Sequence, residues 1–168
     1  MSSLNSEKLP RIGVLGGMGP LASAMFMVQL VEATPAAFDR EHFPHTLDSS
    51  PQIPDRPTAI AGRGPDPLVE IIEAIKRLEA SGASLITMPC NTVHHWYDGV
   101  AASTSLPVLH IADAVAHCIR SQLPEAKRVG VLGSTVTSKL LVYVAAPDSS
   151  ASRYVLRHLR NGWRFCGH

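Results

Sequence analysis

The sequence has few cysteines, no excess of charge of either sign and no long run of apolar residues. Three cysteines in 168 residues are too few and too scattered for a disulfide framework. The 15 Lys and Arg against 14 Asp and Glu give a net charge of +1, which argues against a nucleic-acid-binding surface or a polybasic membrane anchor. No stretch reaches the roughly 18 apolar residues that span a bilayer. The polar segment Met1–Pro10 lacks the apolar centre of a signal peptide, so we expect a cytoplasmic protein.

The composition that remains is that of a folded protein. Apolar residues make up 45% of the chain and charged residues 17%, which is enough material for a buried core. Short strand-like runs alternate with helical patterns, and this alternation is typical of an α/β protein. We therefore predict a Rossmann-like three-layer fold, in which a parallel sheet carries helices on both faces.

The apolar patterns and the turn residues locate the predicted elements. The proline-dense segment from Pro51 to Pro65 is predicted to be irregular. Asp66 is expected to cap a helix with Pro67 in its first turn, and Gly82 to end that helix. A further helix is expected after Thr92. The predicted strands are Arg11–Leu15, His45–Ser49, Ser84–Met88 and Val108–His110, and two other helices are predicted over Pro20–Glu32 and Ile111–Leu123.

A six-residue segment occurs twice. Arg11–Gly16 returns with similar sequence as Arg128–Gly133, at an offset of 117 positions. Such a short strand-and-turn pattern also recurs by chance, so coincidence is the alternative to a duplicated α/β unit. On the duplication hypothesis residues 1–10 are a disordered N-terminal tail, residues 11–125 are the first domain, and residues 126–168 are an incomplete start of the second domain.

Cys90 is the first candidate for chemistry. It follows the predicted strand Ser84–Met88 and precedes a predicted helix, and open α/β sheets bind ligands at that edge. Free backbone N–H groups and the helix dipole at such a position favour a thiolate over a thiol. Asn91 and Thr92 are natural helix-capping residues, and they can also donate hydrogen bonds to a ligand carboxylate. The alternative is a small buried cysteine beside an ordinary helix cap.

A glycine turn after the first predicted strand is the second candidate. Gly17-x-Gly19-x-x-Ala22 matches the dinucleotide-binding fingerprint in form. Asp48 lies too far along the chain for the usual acidic partner, and Pro20 lacks a backbone donor that a pyrophosphate could use. The pattern also fits a turn that binds a smaller anion such as a carboxylate, or a tight turn without a ligand.

Four other side chains have both a functional and a structural interpretation. His94, one helical turn after Cys90, either influences the charge of that thiol or packs against the protein. Arg56 either binds a ligand carboxylate or pairs with Asp55 in the same loop. Cys118 is predicted to lie in the core, because it shares a helix face with other apolar residues. The eight histidines form no metal-binding pattern.

Three segments together carry a resemblance to a known family. Gly13–Pro20, Pro51–Arg56 and Met88–His94 resemble the aspartate/glutamate racemase family, on the aspartate racemase side, and the resemblance extends from about Arg11 to Tyr143. It implies two similar α/β domains with an amino-acid site between them, and no pyridoxal cofactor. It also implies one catalytic cysteine from each domain, acting on opposite faces of the substrate α-carbon.

The resemblance assigns roles to particular residues. Cys90 would be the catalytic cysteine of the first domain, and the substrate would be lined by Met18, Gln52, Asn91, Thr92 and, through the 117-residue offset, Thr135. The second cysteine of the family lies in a Gly-Cys-Thr-Glu-like motif, and no Gly-Cys-Thr occurs in this sequence. We therefore expect a chain that is truncated in its second domain and that racemises aspartate or glutamate poorly.

Two other functions stay open on sequence grounds. One is a non-catalytic protein that binds an acidic amino acid, and the other is a small nucleotide-binding module. In each case the expected partner is a small molecule, with a homodimer as a further interaction and with no nucleic-acid or membrane partner.

Overall fold

The structure is a computed structural model, and it describes residues 9–126, 129–131, 133–134, 136–137 and 155–156. Backbone packing divides the chain into two compact units, Met1–Ile111 and Ala112–His168. The strands are β1 (Ile12–Gly16), β2 (His45–Ser49), β3 (Leu85–Thr87), β4 (Gly130–Val131) and β5 (Val155–Leu156). The α-helices are α1 (Pro20–Ala33), α2 (Arg56–Ile60), α3 (Leu68–Ala80), α4 (Tyr97–Ala102) and α5 (Ile111–Gln122), and 3₁₀ helices span Asp39–Glu41 and Thr92–Trp96. The domain limits predicted from the sequence stay predictions.

The first unit is built on a parallel sheet with strand order β2-β1-β3. The chain passes from β1 through α1 to β2 on one side, and then returns through α3 to β3 on the other side of β1. Parallel crossovers are right-handed in nearly all proteins, so two crossovers in opposite directions carry their helices on opposite faces of the sheet. The predicted α/β fold with a parallel sheet is therefore confirmed.

The core of the first unit lies between β1, β3 and α3. Val14 and Leu15 of β1 and Ile86 of β3 are fully buried, as expected for strands that are covered on both faces. On α3, Ile71, Ala74, Ile75 and Leu78 form the buried stripe that the helical spacing predicts.

The predicted end of α3 is confirmed, whereas the helix starts at Leu68, one residue later than predicted, with Pro67 at the N-cap position. The Asp66 carboxylate accepts a hydrogen bond from the amide of Leu68 at 3.0 Å, which satisfies one of the free N–H groups at the helix start. Gly82 lies just after the helix with φ +81°, a backbone conformation that favours glycine. Local sequence signals were sufficient here because both ends depend on residues within two positions of the helix.

The irregular structure predicted for the proline-dense segment is wrong at α2. Asp55 caps this short helix by accepting a hydrogen bond from the Thr58 amide at 2.8 Å, and Pro57 occupies the first turn. Proline is tolerated there because an N–H in the first turn has no partner within the helix. The density of prolines therefore marks the start of a helix at this point.

Two further predicted elements differ from the structure. The segment after Cys90 begins as a 3₁₀ helix over Thr92–Trp96, and the α-helix starts only at Tyr97. The predicted strand near Val108 is a single parallel bridge to Ile86. Pro107 has no N–H to donate to a ladder, and this limits the strand pairing.

The prediction that Cys118 lies in the core is wrong, because Cys118 is exposed. The buried positions of α5 are Ala112 and Ala116, so the buried stripe lies to one side of the predicted face. The spacing of apolar residues identified the helix, but it did not identify which of its faces is covered.

The repeated segment contains a strand in both copies, β1 in the first and β4 in the second, and β4 pairs in parallel with β5. Thr135 and Cys166 lie outside the described residues. In the described part of the chain, no helix has the length and apolarity needed to cross a membrane.

Candidate active site at the carboxyl edge of the sheet

The strand register brings the glycine turn and Cys90 to one edge of the sheet. Val14 of β1 is paired with Thr87 of β3 in a parallel ladder. Gly17 and Cys90 each lie three residues beyond this pair, past the carboxyl ends of adjacent strands. The glycine turn and Cys90 therefore share one edge of the sheet, and it is the edge at which open α/β sheets bind ligands.

Gly17 is required by the geometry of its turn. Its φ is +89°, and a Cβ atom at this position would lie 2.4 Å from the backbone nitrogen of Ser50. The Gly17 amide donates to the Ser23 hydroxyl at 2.9 Å, and that hydroxyl donates to the carbonyl of Gly19 at 3.0 Å. The turn is therefore tied to helix α1 through Ser23, which is buried.

The dinucleotide-binding interpretation loses support at two positions. The Gly17 N–H is already bonded to Ser23, so it is not available to a pyrophosphate. Asp48 at the end of β2 accepts hydrogen bonds from Ser50 and from Arg77, whose Nε lies 2.7 Å from the carboxylate. Burial raises the pKa of Asp48, but the hydrogen bonds from Arg77 and Ser50 and the charge of Arg77 outweigh this effect and hold the pKa below its usual value. An engaged carboxylate of this kind is poorly placed to bind a ribose.

Cys90 has a half-buried side chain, and its thiol lies beside a hydroxyl. Its Sγ atom is 3.5 Å from Oγ1 of Thr92, within hydrogen-bonding range for sulfur. Asn91 occupies the predicted cap position, at the start of a 3₁₀ helix, without a capping hydrogen bond from its side chain. The geometry that remains is a thiol within hydrogen-bonding distance of a hydroxyl, and either group can be the donor.

His94 is the buried neighbour of Cys90. Its Nδ1 lies 2.8 Å from the Cys90 carbonyl oxygen, and its Nε2 lies 3.1 Å from the amide nitrogen of Ile111. Burial lowers the pKa of His94, and nearby His110 acts in the same direction, while hydrogen bonds to the backbone oppose the shift. Of the two sequence interpretations, packing against the protein is confirmed.

The loop Pro51–Arg56 adds a cationic group near this edge. Arg56 donates from Nη1 to the carbonyls of Ile53 and Pro54, each at 2.8 Å. Its Nε is buried and has no hydrogen-bond partner. Helix α2, which begins at Arg56, packs against the 3₁₀ helix Thr92–Trp96.

The ion pair predicted between Arg56 and Asp55 does not form. No salt bridge joins these two residues, both of which lie in the described part of the chain. The Asp55 carboxylate is instead turned to the helix start, where it accepts hydrogen bonds from the amide and hydroxyl of Thr58. The pKa of Asp55 is accordingly lowered by those hydrogen bonds.

The remaining predicted substrate residues differ in their exposure. Gln52 is exposed on the loop, whereas Met18 is 6% exposed and belongs to the core together with Ile53 and Met88. Cys90 packs against the same core. Among the described residues no group of three or more His, Cys, Asp and Glu side chains is placed to hold a metal ion.

The two hydrogen bonds of the His94 ring leave no signal in the sequence, because both partners are backbone groups.

Comparisons with known proteins find similarity to amino-acid racemases. The chain is 30% identical over 139 residues to the broad specificity amino-acid racemase RacX of Bacillus subtilis. This alignment covers 79% of this chain and 58% of RacX. The structure resembles aspartate racemase from Picrophilus torridus with a TM-score of 0.78 and 29% identity, covering 88% of this chain and 62% of that chain. An aspartate racemase homologue from Pyrococcus horikoshii gives a TM-score of 0.71 and 25% identity, with 89% and 65% covered.

The chain therefore spans about three fifths of the length of the relatives that it matches. The profile of the Asp/Glu/hydantoin racemase family matches residues 15–148, which is most of the sequence and includes the glycine turn, the Pro51–Arg56 loop and Cys90. On this match, the chain belongs to the Asp/Glu/hydantoin racemase family.

Proposed function

We propose that Cys90 exchanges a proton with the α-carbon of aspartate or glutamate, without a pyridoxal cofactor, as one half of a racemase site. The observation that carries the proposal is the position of Cys90. It lies at the carboxyl edge of the sheet with its Sγ 3.5 Å from the Thr92 hydroxyl, in a chain of the Asp/Glu/hydantoin racemase family. The cytoplasmic location expected from the sequence stays a prediction.

The chemistry needs a group that can act as both base and acid. A thiolate at Cys90 accepts the α-proton, so that the Cα–H bond breaks, an S–H bond forms and the electron pair stays on the substrate as a carbanion. The reverse step returns the proton from the thiol. A Thr92 hydroxyl that donates to the sulfur stabilises the thiolate form, which is the reactive form in either direction.

Polar groups at this edge supply the donors that an acidic amino acid requires. The substrate carries two carboxylates, and side-chain donors are carried by Asn91 and Thr92 in the segment after β3 and by Gln52 in the loop after β2. We assign Arg56 to this set as well, because its buried Nε has no partner and its charge suits a carboxylate. Met18, whose side chain is buried, is proposed to shape the site from the core, and Thr135 keeps the role implied by the family resemblance.

Inversion requires a second proton donor on the opposite face of the α-carbon. The other two cysteines of the sequence are Cys118, which is exposed, and Cys166, which lies outside the described residues. Neither lies in a Gly-Cys-Thr motif. We therefore propose that the described site is one half-site, and that the facing half is absent from these residues or is supplied by a second copy of the chain.

The proposal is tested by ligand-protected labelling of Cys90. Aspartate or glutamate should slow the alkylation of Cys90 and raise the melting temperature of the chain, whereas NAD should do neither. Cys90→Ser should abolish the protected labelling and leave the melting temperature of the free protein nearly unchanged. Protection by NAD and not by aspartate would favour the nucleotide-binding function. An absence of protection by either amino acid would contradict the proposal.

A further inference from the structure

The His94 ring is a buried group with a partner on each nitrogen. Its side chain is 6% exposed, and it lies one turn after Cys90. Nδ1 is 2.8 Å from the carbonyl oxygen of Cys90, and Nε2 is 3.1 Å from the amide nitrogen of Ile111. The ring thus bridges two backbone groups that are 21 positions apart in the sequence.

The two partners determine which ring nitrogen carries the proton. A backbone amide can only donate, so Nε2 must accept from Ile111 and cannot itself be protonated. A backbone carbonyl can only accept, so Nδ1 must donate to Cys90 and must carry the proton. Both requirements lead to the same neutral tautomer. The backbone of Leu109 and of Asn91 also interacts with the ring and favours its protonated form, but burial outweighs this effect.

Each bond also satisfies a backbone group that would otherwise lack a partner. Ile111 begins α5, and the first N–H groups of a helix have no partner within the helix. The carbonyl of Cys90 lies in the non-helical link between β3 and the 3₁₀ helix, where no strand ladder is available to it. His94 therefore fixes the peptide group between Cys90 and Asn91, whose carbonyl belongs to Cys90.

Aromatic neighbours hold the ring in place. The His110 ring meets His94 edge-on with centroids 4.7 Å apart, and the Tyr97 ring lies parallel to it at 6.3 Å. The Tyr97 hydroxyl donates to the carbonyl of Val108 at 2.9 Å. This bond anchors the Tyr97 ring to the chain segment that also carries His110. A rotation of His94 toward the Cys90 sulfur would break both of its backbone bonds and disturb this stack.

We propose that His94 is a positioning residue for Cys90: as a neutral bridge between the Cys90 carbonyl and the Ile111 amide it orients the cysteine, and it does not accept the thiol proton. This proposal rests on the proposed function only in taking Cys90 as the reacting group. In this proposal the site differs in mechanism from cysteine–histidine pairs, in which an imidazole nitrogen receives the proton of the thiol.

The test combines nitrogen NMR of the wild-type chain with two variants that each keep one half of the bridge. His94→Asn keeps an amide donor near the Nδ1 position, and His94→Gln keeps a carbonyl acceptor near the Nε2 position. His95→Gln is the matched control, because His95 is the exposed neighbour on the same 3₁₀ helix. The readouts are the His94 tautomer, hydrogen exchange at the Ile111 amide, and the pH profile of Cys90 alkylation.

The bridge gives specific expected results. The wild-type ring should be neutral and protonated on Nδ1 at pH 7. Exchange of the Ile111 amide should be about five- to tenfold faster in His94→Asn than in His94→Gln, since only the former loses the acceptor. Cys90 alkylation should keep the wild-type pH profile in both His94 variants and in His95→Gln, and its rate should fall severalfold only in His94→Gln, which lacks the donor to the Cys90 carbonyl.

A proton-accepting role gives the opposite results. It requires Nε2-protonated or doubly protonated His94 in the wild type, or a loss of about 10²-fold or more in alkylation rate at pH 7 in both His94 variants together with a changed pH profile. Either finding would overturn the proposal. The tautomer and exchange measurements do not depend on substrate binding, so failure of the racemase proposal would leave this test intact.

Discussion

Two free thiols in different surroundings allow the reactivity of Cys90 to be measured within one molecule. Cys118 on α5 is exposed, whereas Cys90 is half-buried beside the Thr92 hydroxyl. Exposure alone favours reaction at Cys118. We expect Cys90 to be alkylated about tenfold faster than Cys118 below pH 7, because the Thr92 hydroxyl can donate a hydrogen bond to the attacking sulfur. Mass spectrometry of iodoacetamide-treated protein after digestion gives both rates.

The matched variant for this comparison is Thr92→Val, which keeps the branched shape and removes the hydroxyl. It should slow labelling of Cys90 and leave labelling of Cys118 unchanged. Equal rates at the two cysteines in the wild type would mean that Cys90 is a structural residue. A faster reaction at Cys118 would lead to the same conclusion.

His94 makes the stability of the fold depend on pH in a defined direction. Burial, together with the charge of nearby His110, lowers the pKa of His94, so the folded state prefers the neutral ring. The stabilisation is therefore complete above the ordinary histidine pKa of about 6.5 and is lost as the pH falls toward the lowered value. Urea unfolding between pH 7.5 and 5 should show a falling free energy of unfolding.

The variant His94→Gln isolates this contribution, because the other seven histidines are present in both proteins. The rings that contact His94 are those of Tyr97 and His110, and helix α2, which begins at Arg56, packs against the 3₁₀ helix that carries His94. The variant should be less stable at pH 7.5, and the difference from wild type should narrow as the pH falls. A difference that widens toward pH 5 would contradict the assignment of a neutral buried ring.

At the scale of elements, the connection from β1 to α1 depends on one glycine. Gly17 has a positive φ, and an added Cβ would meet the Ser50 backbone at 2.4 Å. Gly82 after α3 also has a positive φ, but an added Cβ there would meet nothing within 4 Å. Alanine substitutions at Gly17 and Gly82 therefore distinguish the loss of stability due to the backbone conformation, present at both sites, from the loss due to the steric clash, present only at Gly17.

We expect Gly82→Ala to lower the free energy of unfolding by about 1–2 kcal/mol, the cost of a left-handed backbone for alanine. Gly17→Ala should cost roughly 1–3 kcal/mol more, because rigid backbone atoms of Ser50 must move as well. Urea titration with a common m-value measures both changes. Equal losses in the two variants would mean that the turn can relax away from Ser50.

At the scale of the whole molecule, the proposed half-site predicts weak catalysis. The 168-residue chain should racemise aspartate and glutamate very poorly or not at all. A single thiol returns the proton to the face from which it came, and loss of a positioned acid or base typically costs about 10²–10⁴-fold in rate. Chiral chromatography of each amino acid after long incubation measures inversion.

Proton exchange without inversion would be the specific sign of a working half-site. Incubation in D₂O should give slow α-deuteration that depends on Cys90 and retains the configuration of the substrate. Cys90→Ser is the control for background exchange. Robust racemisation by the chain would contradict the half-site, and it would require either Cys166, Cys118 or a second copy of the chain to provide the opposite face.

The sequence by itself determined the family, the first three strands of the sheet and helices α1, α3 and α5. The limits of β2 and the two ends of α3 depend on neighbouring residues, as with Asp66 at the start of the helix and Gly82 after its end. The parallel direction of the strands follows from the alternation of strand and helix patterns along the sequence. The three motifs located Gly17 and Cys90 at one edge, because parallel strands place their carboxyl ends together.

The tertiary structure alone decided the partners of individual side chains. Cys118 is exposed although its spacing predicted burial, because helical periodicity identifies a face but not what covers it. Asp55 caps α2 instead of pairing with Arg56, because the free N–H groups of a helix start compete for the same carboxylate. His94 bonds to Ile111, far away in the sequence. Backbone donors and acceptors are identical at every position, so only folding decides which of them a buried ring can reach.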